Sequence, residues 1–389
     1  EALPTLTYRS VQYYCGSQEH IERYAERRAA IVERTNYLQG VIAALADAGF
    51  APPIVTGSGT GTHRIDLDLG VFTELQAGSY VFMDKQYLDC DLTGEVQWMN
   101  RMIAQYDAAA KQSGARIVHT CGFDCIPTDL GVHFLQNLAA QSFGAPATSV
   151  KMNVHGFSGG ISGGTAASMV NMMKEIGKDP SLRSMMRDHY SLSPADAPAR
   201  PKQPEPGVLK KDDDTGAWTI PFMMAGVDTR VVHRTNALAG LPYGGDFTYQ
   251  EVMEVGEGVK GFLAGAGAVG GMGVFLTLAV FGPTRALLER FVLPKPGEGP
   301  SPEAQEKGYF DLRFYGTTAQ GQIIKTKVTG DRDPGYGSTC KMLGESAVCL
   351  LRDVDRTATG GGLFTPAYAM GDALIDRLTR NAGLSFELV

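Results

Sequence analysis

The segment CGFDCIP, residues 121–127, places an acidic side chain directly after a pattern that is typical of a strand. The overlapping stretch ARIVHTCG predicts a buried strand, and open α/β sheets bind their ligands beyond the carboxyl ends of such strands. Asp124 is therefore a candidate acid, and Gly122 would let a ligand approach the backbone closely. The alternative role for Asp124 is a carboxylate that caps a helix or a turn.

Three glycine-rich segments could hold a phosphate, because glycine lets backbone N–H groups approach an anion. GSGTGT at residues 57–62 follows a short predicted strand and adds hydroxyl donors, although a flexible loop explains it too. GAGAVG at residues 265–270 matches the dinucleotide pattern GxGxxG, but no strand pattern leads into it, so we expect no nucleotide there. FSGGISGGT at residues 157–165 could bind an anion at a helix N-terminus or serve close packing.

Residues 261–284 contain no charged side chain. As a helix they would be about 36 Å long, whereas the hydrocarbon core of a membrane is about 30 Å thick. Many of these residues are glycine or alanine, which lowers the hydrophobic driving force. We therefore predict a helix that is buried or docks on a surface, with membrane or lipid contact as the alternative.

Composition limits the classes of function and partner. The chain of 389 residues predicts two to three domains, and a net charge of −7 without a basic block argues against a nucleic-acid partner. Six scattered cysteines predict free thiols in a cytoplasmic protein, and the CxxxC spacing of Cys121 and Cys125 does not favour a metal site. Because the chain opens at Glu1 without a signal peptide or a methionine, we expect a fragment.

The hydrophobic periodicity and the positions of glycine and proline predict the helices and strands that position these segments. The β/α rhythm near the N-terminus breaks at HRIDLDLGVF, residues 63–72, which lacks the pattern of an apolar helix. Solvated loops are expected at residues 191–216 and 294–304. The predicted helices span residues 18–48, 95–113, 128–140, 166–176, 338–352 and 366–382. The predicted strands span residues 6–15, 53–55, 70–76, 79–84, 115–122, 147–157, 310–318 and 321–330.

Six strings in the last three-quarters of the chain are similar to those of a known family. In order, they are DLTGEVQWM (91–99), GARIVHTCGFDCIPTDLG (114–131), FSGGISGGTAASM (157–169), YGGDFTYQEVM (243–253), LPKPGEGPSPE (293–303) and GGGLFTPAYAMGDALIDRL (360–378). They resemble the saccharopine dehydrogenase-like oxidoreductases, in particular the trans-acting enoyl reductases. The resemblance implies an oxidoreductase that uses NADP or NAD on a small-molecule or acyl substrate.

The same resemblance implies the nicotinamide side of the cofactor site and the domain order. The cofactor-binding residues that it implies are Gly94, Glu95, Cys121, Gly122, Phe123 and Pro127. It implies the C-terminal remnant of a Rossmann-type domain at residues 91–145 and an α+β substrate or dimerisation domain at residues 146–389. Residues 1–90 contain no βαβ unit with the glycine turn that this family needs. We therefore predict weak dinucleotide binding and impaired activity.

Residues 1–90 resemble a different family. VQYYCGSQEHIERYAERRA (11–29), VTGSGTGTH (55–63) and GVFTELQAGSYVFMD (70–84) are similar to D-threonine aldolase and D-serine dehydratase-like enzymes, which bind pyridoxal phosphate on an alanine-racemase-type barrel. The phosphate-binding residues that this resemblance implies are Gly57, Ser58, Gly59, Thr60 and Gly61. We therefore predict a truncated β/α piece fused to an α/β and α+β reductase, that is, a chimeric chain.

Two further functions stay open on the sequence alone. One is a relative of the pyridoxal-phosphate-dependent D-amino-acid lyases and aldolases, carried by residues 1–90. The other is a non-catalytic protein that associates with membrane or lipid through residues 261–284. The sequence is compatible with an oligomer in either case.

Overall fold

The computed structural model describes residues 24–49, 51–52, 55–57, 62–75, 95–159, 184–185, 187–197, 200–280, 284, 288 and 299–389. The chain divides into two compact units, Glu1–Asp91 and Leu92–Val389. Both mix helices and strands, as the sequence predicts. The assignment of the pieces to a pyridoxal-phosphate barrel, a Rossmann remnant and an α+β domain stays a prediction.

The first unit contains helix α1 (Tyr24–Asp47) and a small parallel βαβ arrangement. The arrangement consists of strand β1 (Thr56–Gly57), helix α2 (His63–Leu69) and strand β2 (Glu74–Leu75). The two strands pair in parallel. The expectation that the β/α rhythm breaks at residues 63–72 is wrong, because α2 lies between two parallel strands. The apolar Ile65 and the carboxyl of Asp66 are both buried and anchor this helix. The Thr62 hydroxyl also donates to Asp66, which fixes the first turn of this helix.

The second unit is built on a seven-stranded mixed sheet. Its strands are β4 (Ala147–Ser158), β5 (Lys210–Lys211), β6 (Trp218–Pro221), β7 (Thr248–Gly256), β8 (Tyr309–Thr318), β9 (Ile323–Gly330) and β11 (Leu384–Leu388). They lie in the order β11-β9-β8-β4-β7-β6-β5. Only β4 and β7 pair in parallel, and every other neighbouring pair is antiparallel.

Helices complete the second unit. They are α3 (Val96–Ser113), α4 (Ile126–Phe143), α5 (Ala225–Leu238), α6 (Gly258–Val280), α7 (Pro302–Lys307), α8 (Gly337–Arg352), α9 (Arg356–Thr359) and α10 (Pro366–Asn381). A separate parallel pair joins β3 (Arg116–Val118) to β10 (Gly362–Phe364), and α3 packs on it. The turn between β3 and α4 is the candidate site.

The main core lies between the sheet and α4, α5, α8 and α10. Strand β8 shows how the sequence specifies this face, because Phe310, Leu312 and Phe314 alternate inward and are fully buried. Helix α4 approaches the sheet closely at Gly131, where an added Cβ would lie within 2.9 Å of three ring atoms of Phe314. The absence of a side chain at Gly131 therefore makes room for this ring.

Several sequence predictions are confirmed within the described residues. Helices α1, α3, α4, α8 and α10, strand β4 and the β8–β9 hairpin match predicted elements, with ends shifted by a few residues. The predicted strand at residues 6–15 and the predicted helix at residues 166–176 lie outside the described residues. The strand predicted at residues 115–122 is shorter and less buried than expected, because β3 spans three half-buried residues.

Both predicted loops need correction. Residues 191–216 are not simply solvated, since Leu192, Gln203 and Asp212 are buried. The Gln203 amide explains part of this packing, because it donates to Phe247 O and accepts from Tyr249 N at 2.9 Å. In the second loop, residues 302–304 begin α7, for which Ser301 supplies a side-chain cap.

The charge-free segment is helical but largely exposed. Helix α6 contains GAGAVG in its interior, so this GxGxxG match is not a strand-to-helix turn, as expected. The prediction was a helix that is buried or docks on a surface. Burial is wrong, because only 11% of residues 258–275 are buried, and surface docking stays a prediction.

The contact at Gly131 generates a test with a matched control. Gly131→Ala should destabilise the protein by about 1–3 kcal/mol, since the new methyl group overpacks against Phe314. Gly344→Ala, in α8, should instead stabilise it by up to about 1 kcal/mol, because its Cβ meets no atom within 4 Å and alanine favours a helix. Urea unfolding of both variants measures the difference, and equal effects of the same sign would contradict the close approach.

Candidate functional site

The turn between β3 and α4 uses its own backbone donors internally. Cys125 N donates to Thr120 O at 2.9 Å, and Ile126 N donates to Gly122 O at 3.0 Å. Phe123 N donates to the Thr339 hydroxyl at 3.0 Å. A Cβ added at Gly122 would lie 2.9 Å from Thr339 Cγ2, so this glycine accommodates Thr339. These three donors are already bonded within the protein, so they are not available to a pyrophosphate.

Other residues that the resemblance assigned to the nicotinamide side have packing roles here. Glu95 is buried at the N-terminus of α3 and accepts from Gln97 Nε2 at 3.2 Å. The Phe123 ring packs edge-to-face on Phe310, with centroids 5.2 Å apart. Burial raises the pKa of the half-buried Cys121 thiol to about 12, so it stays protonated at neutral pH. Pro127 is buried in the first turn of α4, and Gly94 lies outside the described residues.

Of the five predicted phosphate-binding residues in the first unit, the structure describes Gly57. An added Cβ at Gly57 would lie within 3.1 Å of three ring atoms of Phe72, so this glycine makes room for a side chain. Ser58, Gly59, Thr60 and Gly61 lie outside the described residues. Phosphate binding by this loop stays a prediction.

Asp124 belongs to a cluster of carboxyl groups that we call the acid cluster, formed by Asp124, Asp228 and Glu251. They come from the β3–α4 turn, helix α5 and strand β7. Asp228 is fully buried and Glu251 is 1% exposed, whereas Asp124 remains partly exposed. The Tyr249 hydroxyl donates to Glu251 Oε1 at 2.8 Å, but Oε2 has no partner.

Burial and mutual repulsion favour the protonated forms of this cluster. Burial raises the pKa of Asp124 to about 6. Burial raises the pKa of Glu251 to about 8, and the charge of Asp124 adds to the effect. The pKa of Asp228 is well above its usual range, because it is buried and faces Glu251 and Asp124. No cation is among the groups that shift these three pKa values, so the cluster retains protons that isolated carboxyls would lose.

Asp228 is the most deeply buried member of the acid cluster. Neither of its oxygens has a hydrogen-bond partner of acceptable geometry within the described structure. The Cys125 thiol nevertheless lies close enough to influence the Asp228 pKa. A buried, unpaired carboxylate is strongly unfavourable, which supports a neutral Asp228 at physiological pH.

A helix cap does not explain Asp124. The N-cap of α4 is Cys125, and no side chain caps this helix. Partial exposure together with a pKa near 6 is instead suited to an acid that exchanges protons with a ligand or with solvent. Within the described ranges, no three His, Cys, Asp or Glu side chains have an arrangement that could hold a metal ion.

Another buried carboxyl group, that of Asp129, fixes the start of α4. Asp129 accepts from the Thr235 hydroxyl at 2.6 Å and from Ala367 N at 2.8 Å, so it links α4 to α5 and α10. Burial raises the pKa of Asp129 to about 7, although these two hydrogen bonds oppose the shift. This carboxyl thereby positions the turn that carries Asp124.

The sequence reasoning missed Asp228 and Glu251. A signal for Glu251 existed, because it occupies the inward register of the strand TYQEVMEV, next to apolar core positions. Asp228 had a weaker signal, since helix α5 contains polar residues on most of its surface and shows no clean apolar face. Only the fold brings these two carboxyls to Asp124.

An open cleft of about 710 Å³ lies elsewhere in the second unit. Helix α3 contributes Asn100 and Ile103 to its wall, and the facing segment is held by Asn100 Nδ2, which donates to Ser191 O at 2.9 Å. Arg234 lies at its base, is nearly fully buried, and donates to the carbonyl oxygens of Leu192 and Leu363. The cleft combines a mixed polar and apolar lining with one buried cation, Arg234.

Known proteins share this sequence over most of its length. A protein of Mycobacterium tuberculosis (strain ATCC 25618 / H37Rv), whose name assigns it provisionally to the trans-acting enoyl reductases, is 41% identical over 312 residues, which cover 76% of this chain and 73% of the relative. Trans-acting enoyl reductases of Mycobacterium ulcerans (strain Agy99) and Mycobacterium bovis (strain BCG / Pasteur 1173P2) are 37% and 36% identical, over 74% of this chain and 71% of each relative. No family model matches the chain, and no solved structure matches it.

The acid cluster predicts how stability depends on pH. The folded-state pKa of Glu251 is raised to about 8, so between pH 4.5 and 8 the folded state keeps a proton that the unfolded state releases. Stability should therefore fall as pH rises through this window, by at most about 1.4 kcal/mol per pH unit from this group. Glu251→Gln should flatten the fall, because the amide keeps the shape without the charge.

Urea unfolding between pH 5 and 8 measures this slope. Glu257→Gln is the control, because Glu257 is exposed and should leave the slope unchanged. A slope that is identical in wild type and Glu251→Gln would contradict a protonated Glu251.

Proposed function

Because this chain belongs to the family of trans-acting enoyl reductases, we propose that its acid cluster supplies the proton in the reduction of an enoyl substrate. The names of the relatives support an oxidoreductase of the enoyl reductase type. The observation that carries the proposal is that Asp124, the partly exposed member of the acid cluster, has a pKa near 6 without capping a helix.

Reduction of an enoyl double bond adds two hydrogens in different forms. One arrives as a hydride at the β carbon, and the other arrives as a proton at the α carbon. Asp124 gives up its proton to the α carbon and is left as a carboxylate, which regains a proton from solvent because it is partly exposed. Burial of Asp124 opposes a permanent negative charge on it. The neutral forms of Asp228 and Glu251 are favoured beside it, because burial and the charge of Asp124 raise their pKa.

The family resemblance implies NADPH or NADH as the hydride donor. In the described β3–α4 turn Thr339 occupies the space at Gly122, and the Phe123 N–H donates to the Thr339 hydroxyl, so these two groups do not hold the phosphates of such a cofactor. Weak dinucleotide binding by this chain is part of the proposal.

The acid role is tested by Asp124→Asn. At saturating NADPH, the rate of enoyl-thioester reduction should fall by about 10²–10⁴-fold, because the amide cannot donate a proton that it readily regains. The wild-type rate should decline as pH rises through about 6, since Asp124 must be protonated to act. The residual rate of the variant should lack this decline.

Two further measurements keep this test decisive. Asp372→Asn is the matched control, because Asp372 is an exposed carboxylate that accepts from His133 and Asn137, away from the acid cluster. Infrared spectroscopy should show a protonated carboxyl band that titrates near pH 6 in wild type and is lost in Asp124→Asn. Equal rates in the two variants, or the absence of that band, would remove Asp124 from the proposal.

Cofactor affinity is tested separately by titration with NADPH. Trp98 reports on this region, because its ring packs on His119 at the end of β3 with centroids 5.5 Å apart. We expect a dissociation constant well above the micromolar range, by calorimetry and by tryptophan fluorescence. Micromolar affinity would show that residues other than the described turn hold the dinucleotide.

A further inference from the structure

Helix α6 exposes apolar side chains on more than one side. Val259, Leu263 and Val274 lie within about 60° of one another around the helix axis and are 75%, 63% and 61% exposed. Phe262 and Met272 lie in other directions around the axis and are 43% and 40% exposed. Among the residues that the structure describes, α6 is the one helix long and apolar enough to cross a membrane by length and composition. No charged side chain occurs from residue 261 to residue 284. This helix therefore presents to water a surface that elsewhere in the fold is buried.

The contacts of α6 with the protein are concentrated at its first turns. A Cβ at Gly261 would collide with the backbone of Gly256, and one at Gly265 would lie within 3.0 Å of Leu209 and Val255. The Phe262 ring packs edge-to-face on Trp218, with centroids 5.1 Å apart. The later glycines have open space instead, because an added Cβ would meet nothing within 4 Å at Gly267, Gly270, Gly271 or Gly273.

The distribution of apolar surface on α6 indicates what kind of environment surrounds this helix. A helix that docks in a protein groove is amphipathic, with a polar face left for water. Helix α6 has no charged face over residues 261–280, and a partner on one side would leave apolar surface exposed on the others. Hydrocarbon surrounds a helix on all sides. We infer that α6 inserts into the hydrocarbon region of a lipid bilayer.

The sheet restricts how this insertion occurs. Strand β7 precedes α6 and strand β8 follows it, and both pair with the same strand, β4. The chain on both sides of α6 therefore lies in one sheet, on one side of the bilayer. A single crossing would place β7 and β8 on opposite faces of the membrane, so α6 enters the membrane from the face on which both strands lie.

Length is consistent with this one-sided insertion. Helix α6 has 23 residues and is about 34 Å long, whereas one leaflet contributes about 15 Å of hydrocarbon. The helix is therefore oblique to the membrane, with its first turns held at the sheet edge. Trp218 and Lys260 lie at this base, and Lys211 is opposite Trp218 in the sheet. Tryptophan and lysine side chains of this kind favour the headgroup region.

Vesicle flotation of the full chain tests the inference. Wild type should float with phosphatidylcholine vesicles and more strongly with vesicles that contain phosphatidylglycerol, because lysines lie at the base of α6. Leu263→Lys combined with Val274→Lys should reduce the floating fraction at least tenfold, since two charges oppose insertion. Both positions are more than half exposed, so the variant should fold normally.

The matched control introduces the same charges at other exposed apolar positions. Ile323→Lys combined with Leu351→Lys replaces side chains that are 59% and 78% exposed, and this variant should float as wild type does. The inference is overturned if wild type stays at the bottom of the gradient. It is also overturned if α6 mediates self-association instead. In that case wild type would be a dimer without vesicles, Leu263→Lys with Val274→Lys would be a monomer, and neither protein would float.

The depth of Trp218 in the membrane is measured in a Trp98→Phe variant, in which Trp218 is the single tryptophan. Trp218 fluorescence should be quenched more by lipids brominated near the headgroup than by lipids brominated at the chain end. Equal or absent quenching by both lipids would contradict a membrane boundary at the base of α6.

Discussion

Burial without a neighbouring cation raises the pKa of a carboxyl group, and the described part of the second unit holds four carboxyl groups of this kind around the start of α4. Asp129 is hydrogen-bonded and joins three helices. Burial raises the pKa of Asp124, and the charge of Asp124 adds to the effect of burial on Asp228 and Glu251. Charging them together would place several like charges in one region of low dielectric. The same requirement links the packing of α4, the pH dependence of stability and the proton chemistry of the turn.

The sequence could predict those elements whose formation depends on local patterns. Helices α3 and α8 have clear amphipathic periodicity, and the β8–β9 hairpin alternates buried and exposed residues around a short turn. Helix α2 escaped prediction because it is seven residues long and depends on burial of Ile65. The segment 191–216 looked solvated because its prolines and charges are local features, whereas the burial of Gln203 depends on distant strand residues.

The candidate site was predictable in one part only. Asp124 stands out because a carboxylate follows a strand pattern in a short, glycine-containing turn. Asp228 and Glu251 lie 104 and 127 residues further along the chain, and nothing local indicates that an α5 residue and a β7 residue reach that turn. Tertiary structure buries Asp124, and burial raises its pKa above that of a surface carboxylate.

Glycine motifs were the least reliable guide to function, for a physical reason. Gly122 accommodates Thr339, Gly131 accommodates the Phe314 ring, and Gly265 lets α6 approach the sheet edge. In each case the missing side chain is used by the protein itself. A glycine that holds a phosphate needs two further conditions, which are a strand that leads into the turn and backbone donors that are not already bonded. GAGAVG fails the first condition, since it lies inside α6. In CGFDCIP the N–H groups of Phe123, Cys125 and Ile126 fail the second, since they are already bonded within the protein.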